Sequence, residues 1–133
     1  MLDPEFDDHK EDIQSSLNRF EKMLNEEENS FFDLDTLEQI AEHYFIQGKF
    51  DEGLKACNIG LEHFPYTLEL ITLKAQILGE MQQAEAGIEL VENAFLLFPT
   101  DLDLLMVKGS LLSQLKQHEK AIEIFLNLLE HAE

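Results

Sequence analysis

Basic residues are scarce in this chain: nine Lys and Arg stand against 28 Asp and Glu in 133 residues, for a formal charge of −19. So anionic a surface repels phosphate backbones and acidic headgroups, because both kinds of binding need Lys or Arg to neutralise negative charge. Nucleic acid and membrane surfaces are excluded as partners on that ground. Cysteine is reduced to Cys57, which rules out an intrachain disulfide and a thiolate zinc cluster. No apolar run approaches the roughly 18 residues of a membrane span. The opening MLDPEFDDH is acidic where a secretory leader is basic, so a cytoplasmic location is expected. Gly48, Gly53 and Gly60 have neither P-loop spacing nor a strand before them, which argues against nucleotide binding. No two of the five histidines sit four apart on one helical face, so no metal and no cofactor is expected. Ser15, Ser16, Ser30, Ser110 and Ser113 fall on or beside helical segments without the strained elbow a triad needs. Pairs of carboxylates abound in such a chain and mean nothing without a pocket. An enzyme is not expected.

What is present is enough apolar material to fold, at 44% of residues. The charge is uneven. Residues 1–42 hold 14 acidic side chains against Lys10, Arg19 and Lys22. Residues 1–9 carry too little apolar surface to anchor themselves and read as a mobile acidic tail. Over 10–30, Ile13, Leu17, Phe20 and Leu24 recur at spacings of four and three and share one face of an amphipathic helix. Glu26, Glu27 and Glu28 place like charge at the negative end of that helix's dipole, so it frays there and a boundary falls near residue 30.

From Leu34 the chain repeats with a step of 34 residues, the distance from Pro65 to Pro99. Units 34–67, 68–101 and 102–133 align small residues as Ala41/Ala75/Gly109 and as Gly53/Gly87/Ala121. Bulky positions align as Leu37/Ile71/Leu105 and Tyr44/Leu78/Leu112, and Cys57 shares its phase with Val91 and Phe125. Two antiparallel helices approach closely only where both offer small side chains, with bulk one turn away to fill the flanks. Each unit is therefore a helical hairpin. Asp33 or Asp35, Thr67, and Thr100 or Asp101 are placed to cap the first helices, Asp51 to cap a second helix, and the prolines follow the second helices.

These residues resemble the tetratricopeptide repeat family, whose 34-residue unit runs large-x₂-Leu-Gly/Ala-x₂-Tyr, then Ala, Phe and Ala, then Pro. The nearest stretch is QGKFDEGLKACNIGLEHFP at 47–65, and 20 of 24 signature positions in three repeats agree in class. The exceptions are Lys74 and Lys108 for an aliphatic, Leu128 for a small residue and Glu133 for proline. A half-buried lysine must snorkel or pair with a carboxylate. The resemblance implies an all-α fold, a right-handed α-solenoid of three hairpins with an N-terminal capping helix, and a concave face lined by first helices.

On the family's pattern the face toward a preceding hairpin falls on Thr36 and His43, Leu70 and Ile77, and Leu104 and Leu111. Only the first pair is polar, so the array is read as starting at 34 with the 10–30 helix laid over it and His43 beneath. Concave positions fall on Asp35, Glu38, Gln39, Glu42, Phe45 and Ile46 in the first unit. They continue through Glu69, Thr72, Leu73, Gln76 and Glu80 in the second, and Asp103, Met106, Val107, Ser110, Ser113 and Gln114 in the third. The Lys, Arg and Asn clamp with which some relatives hold a peptide carboxylate is absent from this set. Six of the seventeen are acidic, so the expected partner is a protein or peptide of basic or apolar character. The last helix keeps Ile122, Leu126 and Leu129 where a terminal repeat turns polar. That makes self-association, as a homo-oligomer or within a longer array, the alternative role.

Overall fold

Seven amphipathic segments become seven helices because each carries an apolar stripe at helical spacing that a neighbour covers. The structure, a computed structural model, describes residues 4–26 and 31–131, with side chains for 13–25 and 31–131. The helices are α1 (Pro4–Glu26), α2 (Leu34–Ile46), α3 (Phe50–His63), α4 (Leu68–Glu80), α5 (Ala84–Phe95), α6 (Leu102–Gln114) and α7 (His118–His131), with no strand among the described residues. The architecture is an all-α solenoid: α2–α3, α4–α5 and α6–α7 form hairpins, and each hairpin packs on the next through α3 against α4 and α5 against α6. First helices also touch along the array, α2 with α4 and α4 with α6, whereas α3, α5 and α7 do not touch one another. Contact in one layer and splay in the other curves the array, with α2, α4 and α6 on its inner side.

Capping follows the sequence in part. Asp33 and Asp101 accept from the backbone N–H groups of Thr36 and Leu104, each at 2.8 Å. Thr67 stands at the N-cap of α4, but its hydroxyl donates to the Phe64 carbonyl at 2.9 Å instead. Asp51 does not cap. It lies inside the first turn of α3, whose N-cap is Lys49, and there its charge complements the helix dipole. Every first helix ends in the same turn. Gly48, Gln82 and Lys116, one per 34-residue step, take φ of 75°, 63° and 61°. The next N–H groups, of Lys49, Gln83 and Gln117, reach back to the carbonyls of Tyr44, Leu78 and Leu112 at 2.8, 2.8 and 3.0 Å. This is the left-handed helix stop that glycine adopts without strain.

The small sites lie at the helix crossings. A Cβ on Gly53 would stand 3.5 Å from Tyr44 Cβ and 3.6 Å from the Ala41 carbonyl oxygen, and one on Gly87 only 3.1 Å from the Ala75 carbonyl oxygen. The third hairpin is built differently. A Cβ on Gly109 would lie 2.8 Å from Phe125 Cε1 and 3.1 Å from Ile124 Cγ2. Where the first two units pair Ala41 or Ala75 with Cys57 or Val91 in the equivalent phase, the third pairs glycine with a phenylalanine ring.

The N-terminal helix is longer than its apolar stripe. Helix α1 runs from Pro4, inside the stretch read from the sequence as a tail, and residues 1–3 and 27–30 lie outside the described residues. Helix α1 packs on α2. Leu17 and Phe20 enter one buried cluster with Phe32, Leu37, Ile40 and Tyr44, and Phe20 meets Phe32 edge-on at 5.7 Å between centroids. Tyr44 donates its hydroxyl to Glu21 at 3.3 Å, and burial together with that carboxylate pushes its pKa up to about 12. His43 stays half-exposed beside this cluster, its ring edge toward Tyr44.

Two outcomes follow. Gly109→Ala is expected to cost about 1–3 kcal/mol in urea melts, because the methyl overlaps the Phe125 ring and Ile124, both of which must shift to admit it. Adding Phe125→Val, which recreates the Ala75/Val91 pairing, recovers most of that loss, and a purely additive double mutant would refute the coupling. Gln82→Gly and Lys116→Gly each raise stability by about 0.5–1 kcal/mol by relieving the left-handed backbone, measured as a shift of the urea midpoint.

Candidate functional site

The inner layer opens between α2 and α4. A cleft of about 330 Å³ is lined by Glu38, Glu42, Phe45 and Ile46 of α2 and by Glu69, Leu70, Thr72, Leu73 and Gln76 of α4. The spacings 38, 42, 45 and 69, 72, 73, 76 put each set on one helical face. Its floor is apolar. Phe45 leans on Phe50 with ring centroids 5.9 Å apart, and Ile46 at the mouth is 73% exposed. Thr72 spends its hydroxyl on the Leu68 and Glu69 carbonyls at 3.1 and 3.0 Å, so the donor is already engaged. The rim is anionic, with three glutamates and no Lys or Arg among the lining residues. Burial pushes the Glu38 carboxyl above its ordinary range, and Glu69, Asp35 and Glu42 add to the shift. The four charges therefore share one field rather than standing apart in water.

Eight of the seventeen expected concave residues meet in this cleft, joined by Leu70, which sequence reasoning assigned to the hairpin interface. Asp35, Gln39 and Glu80 are exposed on the same helices outside it, and Asp103, Met106, Ser110, Ser113 and Gln114 are exposed on α6. Val107 is not a groove residue. It is 5% exposed and belongs to the second core with Ile71, Ala75, Leu104 and Leu111. The reason is a residue that the sequence reading passed over. Gly79 stands one 34-residue step after Phe45, and a Cβ there would lie 2.8 Å from Leu111 Cδ2 and 3.2 Å from the Gln114 amide. Helix α6 thus closes onto α4 at a glycine, whereas Phe45 props α2 away from α4. The signal was legible as a large-to-small change in one repeat phase.

On the other layer a wider opening of about 610 Å³ lies among α5, α6 and α7, with Ile88, Leu112, Leu115 and Ile124 beneath Glu85, Glu92, Lys108, Lys120 and Glu123. Its Lys108 is taken up by Glu92, at 2.8 Å, and lies 5.9 Å from the Phe95 ring centroid. Lys108 thus resolves its half-burial by pairing with a carboxylate. Cys57 is fully buried, and burial, against a smaller opposing pull from Lys74, pushes its thiol up to about 12. It stays protonated and unreactive at neutral pH. Among the described residues no group of three His, Cys, Asp or Glu is placed to hold a metal ion, and no helix is long and apolar enough to cross a membrane. Ile122, Leu126 and Leu129 are 55%, 56% and 68% exposed on α7, beside Phe125 at 37%.

Residues 102–131 match the family model described as tetratricopeptide repeat. No curated protein sequence matches the chain. Among solved structures it is similar to the first TPR of Spaghetti (RPAP3) bound to the HSP90 peptide SRMEEVD, at 23% identity and TM-score 0.66 over 73% of this chain and 77% of that one. The NMR structure of the first TPR domain of human RPAP3 gives 23% identity and TM-score 0.68 over 73% and 76%. MamA MSR-1 gives 17% identity and TM-score 0.63 over 92% and 73%.

Because Glu38 holds its proton more tightly folded than unfolded, ionising it at neutral pH weakens the fold, and the penalty disappears as pH falls below the unfolded value of 4.5. Glu38→Gln is therefore expected to raise the melting temperature at pH 7 and to make little difference at pH 4. An equal or lower melting temperature at pH 7 would contradict the shared field.

Proposed function

We infer that this chain, which belongs to the tetratricopeptide repeat family, is a protein-interaction module whose α2/α4 cleft takes a peptide or helix of basic or basic-and-apolar character. It acts by binding rather than by covalent chemistry. One observation carries the reading: an apolar floor rimmed by Glu38, Glu42 and Glu69 with no base among them, and with Glu38 pushed up by burial and then by its acidic neighbours. A lysine or arginine entering there would lay its methylenes on Phe45 and Leu73 and bring its cationic head to the carboxylates. It would also relieve their mutual repulsion, which is energy the free protein already holds. The neighbouring RPAP3 domain is described with SRMEEVD, a peptide that carries two Glu and one Asp near its end. In this cleft such a segment would bring its carboxylates against three more. The shared scaffold therefore supports peptide capture, and the rim residues support the opposite charge preference.

The test compares labelled SRMEEVD with a charge-reversed SRMKKVK by fluorescence anisotropy at about 50 and about 300 mM salt. The basic peptide is expected to bind and to weaken as salt rises, while the acidic one does not bind. Replacing Glu38, Glu42 and Glu69 with alanine should remove the preference at a cost of about 1–3 kcal/mol in all. Preference for SRMEEVD, or binding indifferent to salt, would overturn the reading.

A further inference from the structure

We propose that α7 is the seat of a two-fold homodimer in which the helix packs antiparallel against α7 of a second copy. The starting point is an exposed apolar row, Ile122, Phe125, Leu126 and Leu129, on the outermost helix. Three observations select its occupant.

First, the row is not shaped to receive another repeat in the way the earlier second helices do. Leu70 and Ile77 of α4 seat against Gly60 and Gly53, and Leu111 of α6 seats against Gly87. One step on, Gly53 and Gly87 become Ala121, and Gly60 and Ala94 become Leu128. A Cβ at Gly60 would already lie 2.5 Å from Leu70 Cδ1, so a whole leucine in that phase fills the seat that a following first helix needs. Helices that meet bulk to bulk, as two copies of α7 would, pack at a wider spacing and have no use for such a seat.

Second, head-to-tail stacking is blocked at the other end. The face of α2 that would receive α7 of another copy is covered by α1, whose Leu17 and Phe20 are 5% and 0% exposed. With one end closed, the contact that remains uses the same patch on both partners, and such a contact closes at two copies.

Third, α7 complements itself when reversed. A two-fold axis between Phe125 and Leu126 sets Ile122 against Leu129 of the second copy and Phe125 against Leu126 of the second copy. Lys120 then comes within a turn of Glu130 of the second copy, while Glu123 faces the neutral Asn127 and Leu128 of the second copy. The parallel arrangement would set Glu123 against Glu123 and Lys120 against Lys120 instead. The charge of −19 on each copy opposes association at long range, so the dimer tightens as salt screens that repulsion.

Light scattering after size exclusion on the full chain, at about 50 μM and about 150 mM salt, is expected to give twice the chain mass. Raising salt should strengthen the dimer. The chain mass alone under these conditions, or a ladder of larger species, overturns the proposal. Ile122→Glu with Leu129→Glu alters exposed positions only, and should give the chain mass with an unchanged far-ultraviolet spectrum. Lys120→Glu should weaken the dimer about tenfold and Lys120→Glu with Glu130→Lys should restore it, and failure of that swap refutes the antiparallel register. This inference is independent of the cleft. The alanine variants at Glu38, Glu42 and Glu69 keep the dimer mass, and the α7 variants keep peptide binding, so either idea fails without the other.

Discussion

The contact on which the rest depends is a branched side chain of one repeat pressed against a glycine of the repeat before it: Leu70 on Gly60, Ile77 on Gly53 and Leu111 on Gly87. At each of these glycines an added Cβ would meet the end of that branched side chain within about 3 Å, so the neighbouring repeat seats closely where the side chain is missing. Two such steps bring α2, α4 and α6 into one touching layer and leave α3, α5 and α7 splayed. A curved inner surface follows from that asymmetry. Leu70 and Leu111 each serve this packing with essentially no exposure.

Much of this was legible because a 34-residue period tests itself. Ala41 with Gly53 and Ala75 with Gly87 marked the crossings, and Asp33 and Asp101 marked two helix starts. The parts that were not legible share a cause. Phase alone says which face a residue is on, but not how far apart two helices stand on that face. Eight of the seventeen concave positions gather in the α2/α4 cleft, where Phe45 stands in the phase that Gly79 occupies one step on with far less volume, and Val107 lies in the core instead. The left-handed stops at Gln82 and Lys116 were hidden for a related reason. Glycine announces such a turn at position 48, and the other two residues adopt it under the compulsion of the repeat. Thr67 bears a good capping side chain that finds a nearer acceptor in Phe64, which no pattern of residue types reveals.

The acidity of the chain reads differently at different places. On the outer faces of the helices most carboxylates are exposed and solvated, and their charge does little beyond keeping copies apart. In the cleft the same residue type stands over Phe45 and Leu73, partly stripped of water, and the carboxylates raise one another's energy. Lys108 shows the reverse arrangement. Its ammonium is half-buried, and Glu92 at 2.8 Å neutralises it. Among the described residues no base is paired with Glu38. A fold carrying an unneutralised cluster on its concave side forgoes some stability in the free state. On the proposed function a cationic guest would return it, the kind of differential interaction by which a surface becomes selective rather than merely charged.

The two ends of the described array are finished in opposite ways, and the difference fixes how the molecule can associate. At α2 the finish is aromatic and polar together: Phe20 and Phe32 fill the space over Leu37 and Ile40, and Tyr44 ties its hydroxyl to Glu21 on the covering helix. At α7 the small residues that elsewhere admit a neighbour have grown, from glycine to alanine at 121 and from alanine to leucine at 128, while the apolar row beside them remains in water. Enlarging the seat without making its surroundings polar removes one kind of neighbour and keeps the incentive for another. A helix that presents bulk at every apolar position is best matched by a helix that does the same. With α2 already covered, the helix in this chain that offers such a surface is α7 of another copy.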